Sequence, residues 1–217
     1  MKFVKYLISI VVLAAVLPSC KSVTDIFLPD TPPTYVDYYF LNAGFKNGEG
    51  TDLVAPLGEE YYKSDKDKTI FEGEVNPEKY SLELETYTGS QIDTPHFTVA
   101  KFDAQHSMLK TRNDGTYIGD GTWYLGCNLV YGSAGGRLPL QQTLTYKVKC
   151  PTVFSDDSVH VIETHWVDDI QKGEYTRYPR CTKATIDGRD ISPAKGISYN
   201  DNTDNQYSAF FLDIVLQ

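Results

Sequence analysis

Apolar and polar residues alternate along much of this chain. In Tyr80-Ser81-Leu82-Glu83-Leu84-Glu85, residues Tyr80, Leu82 and Leu84 share one face, and Ser81, Glu83 and Glu85 share the other. Thr143–Cys150 repeats the pattern, with Leu144, Tyr146, Val148 and Cys150 facing in and the threonines and lysines facing out. Near the C-terminus, Phe210, Leu212, Ile214 and Leu216 alternate with Phe211, Asp213 and Val215. A period of two over such runs predicts half-buried β-strands. The same reading predicts strands over 35–41, 69–75, 96–102, 121–131, 159–167 and 182–186.

The segments between these runs read as turns. Asn113-Asp114-Gly115, Gly132-Ser133-Ala134-Gly135-Gly136, Asp156-Asp157 and Asp187-Gly188 punctuate the pattern. Asp187-Gly188 suits a two-residue hairpin, where the backbone needs positive φ. No run of ten or more residues carries an apolar stripe at helical spacing. Short helical turns are expected at 58–63 or 103–109. Short strands, frequent turns and little helix predict an all-β fold, an antiparallel β-sandwich, with an immunoglobulin-like arrangement as one version and a β-barrel as the alternative. The triplet Cys150, Trp166 and Cys181 invites the immunoglobulin comparison, but the cysteines lie closer in sequence than in those domains.

The N-terminus departs from this pattern. Lys2 and Lys5 precede an apolar run from Tyr6 to Leu17 broken only by Ser9, and Leu17-Pro18-Ser19-Cys20 follows. A charged start, a short apolar run and a small residue before the cut form an export signal, and the run is shorter than the roughly 20 residues of a membrane span. Leu17, Ser19 and Cys20 resemble the lipobox of bacterial lipoproteins, and Pro18 is the departure from it. The short box followed by a polar tether is similar to lipoproteins of the Bacteroidota. The resemblance covers the signal alone. It implies that 1–19 is a removed signal peptide and that Cys20 is the lipid-bearing (palmitate-type acyl) first residue. Residues 20–34, with Pro29, Pro32 and Pro33, then form an extended tether. A single β-rich domain is expected over 35–217. Stable attachment to a membrane follows from two or more acyl chains. Lys21-Ser22 lacks the aspartate that retains enterobacterial lipoproteins at the inner membrane. The expected location is therefore the cell envelope, at the outer membrane, facing the periplasm or the cell surface.

Charge narrows the partners. The chain carries 20 Lys+Arg and 29 Asp+Glu, a net charge of −9. Losing Lys2 and Lys5 with the signal takes it to −11. Such a surface disfavours nucleic acid, whose binding rests on neutralising phosphates with Lys and Arg. Beyond Cys20 the cysteines are Cys127, Cys150 and Cys181. An oxidising compartment permits one disulfide, for which Cys150–Cys181 is the favoured pair, with Cys127 as a buried small hydrophobe. No C-x-x-C and no close Cys/His pair is present, so neither zinc nor any other cofactor is expected.

The remaining candidates for chemistry are sparse. His160 and His165 stand five positions apart, which on a strand puts them on opposite faces. Glu163 and His165 share a face, which supplies at most two metal ligands. The nucleophile-elbow motif and the phosphate loop are both absent. Asn200–Asn205 is oxygen-rich but lacks the glycine and closing glutamate of a calcium loop. The aromatics stand out, with 16 Tyr, 10 Phe and 2 Trp. Most are expected in sheet packing. Tyr38, Tyr61, Tyr62, Trp123 and Trp166 are the candidates for a binding face. The leading expectation is a non-catalytic envelope lipoprotein that binds a glycan or an envelope protein. A structural or assembly role through the C-terminal strand, as in a surface fibre, is the second. A hydrolase built on Glu163 and His165 or on paired carboxylates is the third.

Overall fold

The computed structural model describes residues 34–64, 73–86, 94–109, 119–137, 139–168, 175–199 and 206–216. The expected signal over 1–19, Cys20 and the expected tether up to Pro33 lie outside the described residues, as do Asn113–Gly115 and Asn200–Asn205. The compact unit that contains the sandwich runs from Thr34 to Gln217.

Alternation produces two sheets, each with one face turned to a shared core. The larger sheet uses β1 (Thr34–Lys46), β2 (Gly73–Glu74), β4 (Thr98–Phe102), β5 (Thr122–Ala134), β8 (Thr176–Arg177), β11 (Ala194–Tyr199) and β12 (Gln206–Val215). Its order is β11-β12-β1-β5-β4-β2, with β8 added beside β1. The smaller sheet uses β3 (Ser81–Thr86), β6 (Thr143–Lys149), β7 (His160–Val167), β9 (Arg180–Ile186) and β10 (Arg189–Ile191), in the order β10-β9-β7-β6-β3. Pairing is antiparallel except where β1 meets β12 and β8. The fold is a β-sandwich, as the pattern predicts, and the two sheets do not close into a barrel.

Trp166 of β7, 1% exposed, sits at the centre. Its ring meets the edges of Tyr39 at 5.2 Å and Phe210 at 5.7 Å, so the smaller sheet packs on β1 and β12 of the larger. The inward set includes Leu144, Tyr146 and Val148 of β6, as the alternation requires. β12 is buried on both faces over 209–212, whereas Asp213 and Val215 are exposed. Phe210, Leu212 and Ile214 join the main core, while Phe211 joins a second cluster with Ala100, Phe102, Met108, Tyr124 and Ala209 on the other side of the larger sheet. Residues 103–109 fold back over that side through the Phe102–Met108 bridge.

The expected hairpin at Asp187-Gly188 forms. Both residues have positive φ, 49° and 79°, and Ile186 faces Arg189 across a two-residue turn. The helical turn at 58–63 lies within the longer helix α1 (Ala55–Ser64). Asp52 starts it by accepting from the N–H groups of Val54 and Ala55 at 2.9 and 3.1 Å. A single turn, α2 (Pro151–Phe154), follows β6 and ends at Ser155 in the left-handed region.

The expected Cys150–Cys181 disulfide is corrected by the sheet register. Cys127, Cys150 and Cys181 are all buried free thiols. Val148 pairs with His160 at one end of β7, and Cys181 pairs with Trp166 at the other. Cys150 lies beyond Val148, so the two cysteines are separated by more than six strand residues, roughly 20 Å at ~3.3 Å per residue. A disulfide needs Cα atoms within about 7 Å. Trp166 and Cys181 belong to the smaller sheet and Cys150 directly follows its strand β6, so they do not make the intersheet bridge of immunoglobulin domains.

Candidate functional site

β1 sorts the aromatic run near its start. Asp37, Tyr39 and Leu41 turn inward and are buried, while Tyr38 and Phe40 turn outward and are half-buried. Tyr178, just past β8, joins them. Its ring lies 5.3 Å from Tyr38 at 16° and 6.3 Å from Phe40 at 30°, and Tyr38 and Phe40 are 5.8 Å apart at 27°. Across the ladder, Val130 and Asn128 of β5 stand opposite Tyr38 and Phe40. Three near-parallel rings therefore form a platform on the outer face of the larger sheet.

A second aromatic group forms at the start of β1, where Tyr35 shares the strand face of Asp37 and Tyr39. Tyr35 meets Tyr175 edge-on at 5.7 Å, and the Arg137 guanidinium lies 5.3 Å over the Tyr35 ring. Arg177 of β8 grips the buried carboxylate of Asp37, with Nε donating to Oδ1 at 2.8 Å and Nη2 donating to Oδ2. Arg137 stands 3.6 Å from the same carboxylate. Val36 N–H donates to the Tyr175 carbonyl at 2.8 Å. The ion pair and this backbone bond hold the 175–178 segment against β1, which is what brings Tyr178 to Tyr38.

Of the other aromatics singled out from sequence, Trp123 and Trp166 are corrected from binding residues to core. Trp123 is 7% exposed beneath α1, and its backbone N–H donates to Asp52 Oδ2 at 2.8 Å. Trp166 Nε1 donates to Thr164 Oγ1 at 2.7 Å inside the sandwich. Strand parity decides both, since inward positions of a two-sheet core must be filled with volume. Tyr61 and Tyr62 lie in α1, and their side chains are outside the described residues. Phe40, Tyr35, Tyr175 and Tyr178 were not among the aromatics singled out from sequence. Only the tyrosine-rich character of the segments near them was visible, because their juxtaposition spans about 140 positions.

The histidines separate as strand parity predicts. His165 Nε2 lies 3.1 Å from Glu163 Oε1, and its Nδ1 lies 3.3 Å from Thr143 Oγ1. These groups sit on the open outer face of the smaller sheet. His160 instead lines a cleft of about 340 Å³ with Phe154, Asp156, Ile186, Asp187, Arg189 and Leu216. Its Nδ1 is 2.7 Å from Asp187 Oδ2 and its Nε2 is 3.2 Å from Asp156 Oδ1. Two carboxylates thus converge on one imidazole. Partial burial works against the charged ring, but the hydrogen bonds and charges of Asp187 and Asp156 outweigh it, and the His160 pKa is raised. An imidazolium that donates from both nitrogens has no lone pair to act as a general base.

Burial raises the thiol pKa of Cys127 and of Cys181 to about 12, so neither is poised as a nucleophile. Among the described residues, no group of three or more His, Cys, Asp or Glu side chains is arranged to hold a metal ion. The C-terminal strand β12 has partners on both edges, β11 and β1, so it offers no free edge of the kind strand donation requires. Comparison of the chain with protein-family models, with curated proteins and with solved structures gave no match.

Proposed function

We propose that this chain is a bacterial cell-envelope lipoprotein, anchored at the outer membrane through Cys20, whose β-sandwich is a non-catalytic binding module. The observation that carries the binding reading is the Tyr38–Phe40–Tyr178 platform. These rings are half-buried on the outer face of the larger sheet, whereas Trp123, Tyr39 and Trp166 are consumed by the core. Tyrosine supplies an apolar body with a polar tip and loses little entropy on contact. Near-parallel rings favour a glycan, whose sugar C–H faces pack on flat aromatic surface. The net negative charge favours a neutral or basic partner over an anionic one.

Two experiments test the reading separately. Metabolic labelling with a clickable palmitate should tag the wild-type chain and leave Cys20→Ala unlabelled; an equally labelled variant would remove the anchor. Glycan-array screening should give hits that weaken at least tenfold in Tyr38→Ala and Tyr178→Ala, a loss of about 1.4 kcal/mol. Retention of an envelope protein with a silent array would move the partner from glycan to protein. Silence in both would sink the binding module.

A further inference from the structure

The cleft around His160 is lined by the apolar side chains of Phe154, Ile186 and Leu216 and by the charged or titratable ones of Asp156, His160, Asp187 and Arg189. We propose that His160 is a proton-operated clamp on this cleft: protonated, it ties the 155–158 loop to the β9–β10 turn, and on losing its proton it releases Asp156 and the cleft opens.

The chemistry of the ring forces a choice. Imidazolium donates two hydrogen bonds, one to each carboxylate, while neutral imidazole keeps a single N–H. One aspartate must therefore lose its partner on deprotonation. The geometry says which. Asp187 is the closer, at 2.7 Å against 3.2 Å. Its Oδ1 also accepts from Val161 N–H at 2.8 Å, and its own N–H donates to the Val161 carbonyl at 2.8 Å. Among the described residues, Asp156 has no comparable tie outside its own loop, where it accepts from Ser158 N–H at 2.7 Å. That loop leaves α2 through Ser155 at φ 61°, and residues 155–158 are exposed.

The surrounding charges strengthen the coupling. The cleft walls carry Asp156, Asp187, Arg189 and His160, which balance only while His160 is protonated. Arg189 is committed to β12, with Nη2 donating to the Val215 carbonyl at 2.9 Å. Asp157 is paired with Lys149 of β6 at 3.2 Å. Once the ring is neutral, Asp156 and Asp187 face each other without the cation between them. Phe154 stacks on the ring at 3.8 Å and 13°, so the imidazole covers one face of Phe154 while the clamp holds. The raised pKa of His160 puts the transition on the alkaline side of ordinary histidine.

NMR titration of the full chain tests this, with the His160 ring assigned through its loss in His160→Gln. The expected result is a His160 midpoint above about 6.5, with the Ser158 amide shifting at the same midpoint and the Val161 amide nearly still. A soluble nitroxide should relax the Phe154 ring more strongly above that midpoint. Asp156→Asn should lower the midpoint and uncouple Ser158 from it, with an unchanged Val161 amide reporting an intact fold. A Ser158 amide that ignores the His160 midpoint overturns the clamp. So does nitroxide access to Phe154 that stays constant across it.

Discussion

Arg177 and Asp37 are 140 positions apart in sequence and meet as a buried two-point ion pair, with 7% and 6% of their side chains exposed. Arg177 belongs to a two-residue strand too short to hold itself on β1 by backbone bonds alone. Removing one partner of a buried pair costs roughly 3–5 kcal/mol, because the other charge stays buried. Arg137, 3.6 Å from Asp37, moderates the effect. Arg177→Met is therefore expected to lose about 3 kcal/mol in urea unfolding. The double variant Asp37→Asn/Arg177→Met should lose less than Arg177→Met alone. Equal losses would show that the charge left behind is not what destabilises the single variant.

Gly58 offers a test with an inverted sign. Alanine in place of glycine in a helix ordinarily stabilises by up to about 1 kcal/mol. A Cβ at Gly58 would lie 2.4 Å from Trp123 Cε3. That ring is buried, and its backbone is fixed by Asp52, so it has little room to give. Gly58→Ala should destabilise by ~1–3 kcal/mol, the cost of overpacking, and should shift the tryptophan fluorescence. A neutral or stabilising result would mean that α1 can lift from Trp123.

The Asp156–His160–Asp187 arrangement makes stability depend on pH in a defined direction. The His160 pKa is raised, so its contribution is full below about pH 6.5 and is lost as the pH rises through the raised value. The Asp156 pKa is lowered, first by the Ser158 N–H and then by His160, so its contribution is lost as the pH falls through that lowered value. The difference in Tm between wild type and His160→Gln should be largest in mildly acidic solution and should shrink above neutrality. A difference that is flat with pH would assign the effect to ring packing on Phe154 alone.

The cysteines make a simple chemical prediction. Cys127, Cys150 and Cys181 should resist alkylation in the native protein at pH ~8, since burial raises each thiol pKa. All three should alkylate after denaturation without prior reduction, as read by mass spectrometry. A requirement for reductant would reveal a bridge.

Much of the architecture was legible because it is local. Alternation in β3 and β6 needs only a pleated chain with one wet and one dry face, and Asp187-Gly188 needs only two residues that accept positive φ. The sequence also determined that Leu144, Tyr146 and Val148 share a face, and that His160 and His165 do not. What it could not determine was which of two faces meets the other sheet and which distant segment lies alongside. Trp123 and Trp166 became core, Cys150 and Cys181 were held at opposite ends of β7, and β12 took β1 as a parallel partner. Tyr178 reached Tyr38 through the Arg177–Asp37 pair and the backbone bond from Val36 to Tyr175. These are non-local outcomes, since a period of two defines the faces of a strand but not its neighbours, and sheet register and packing volume exist only once the chain has folded.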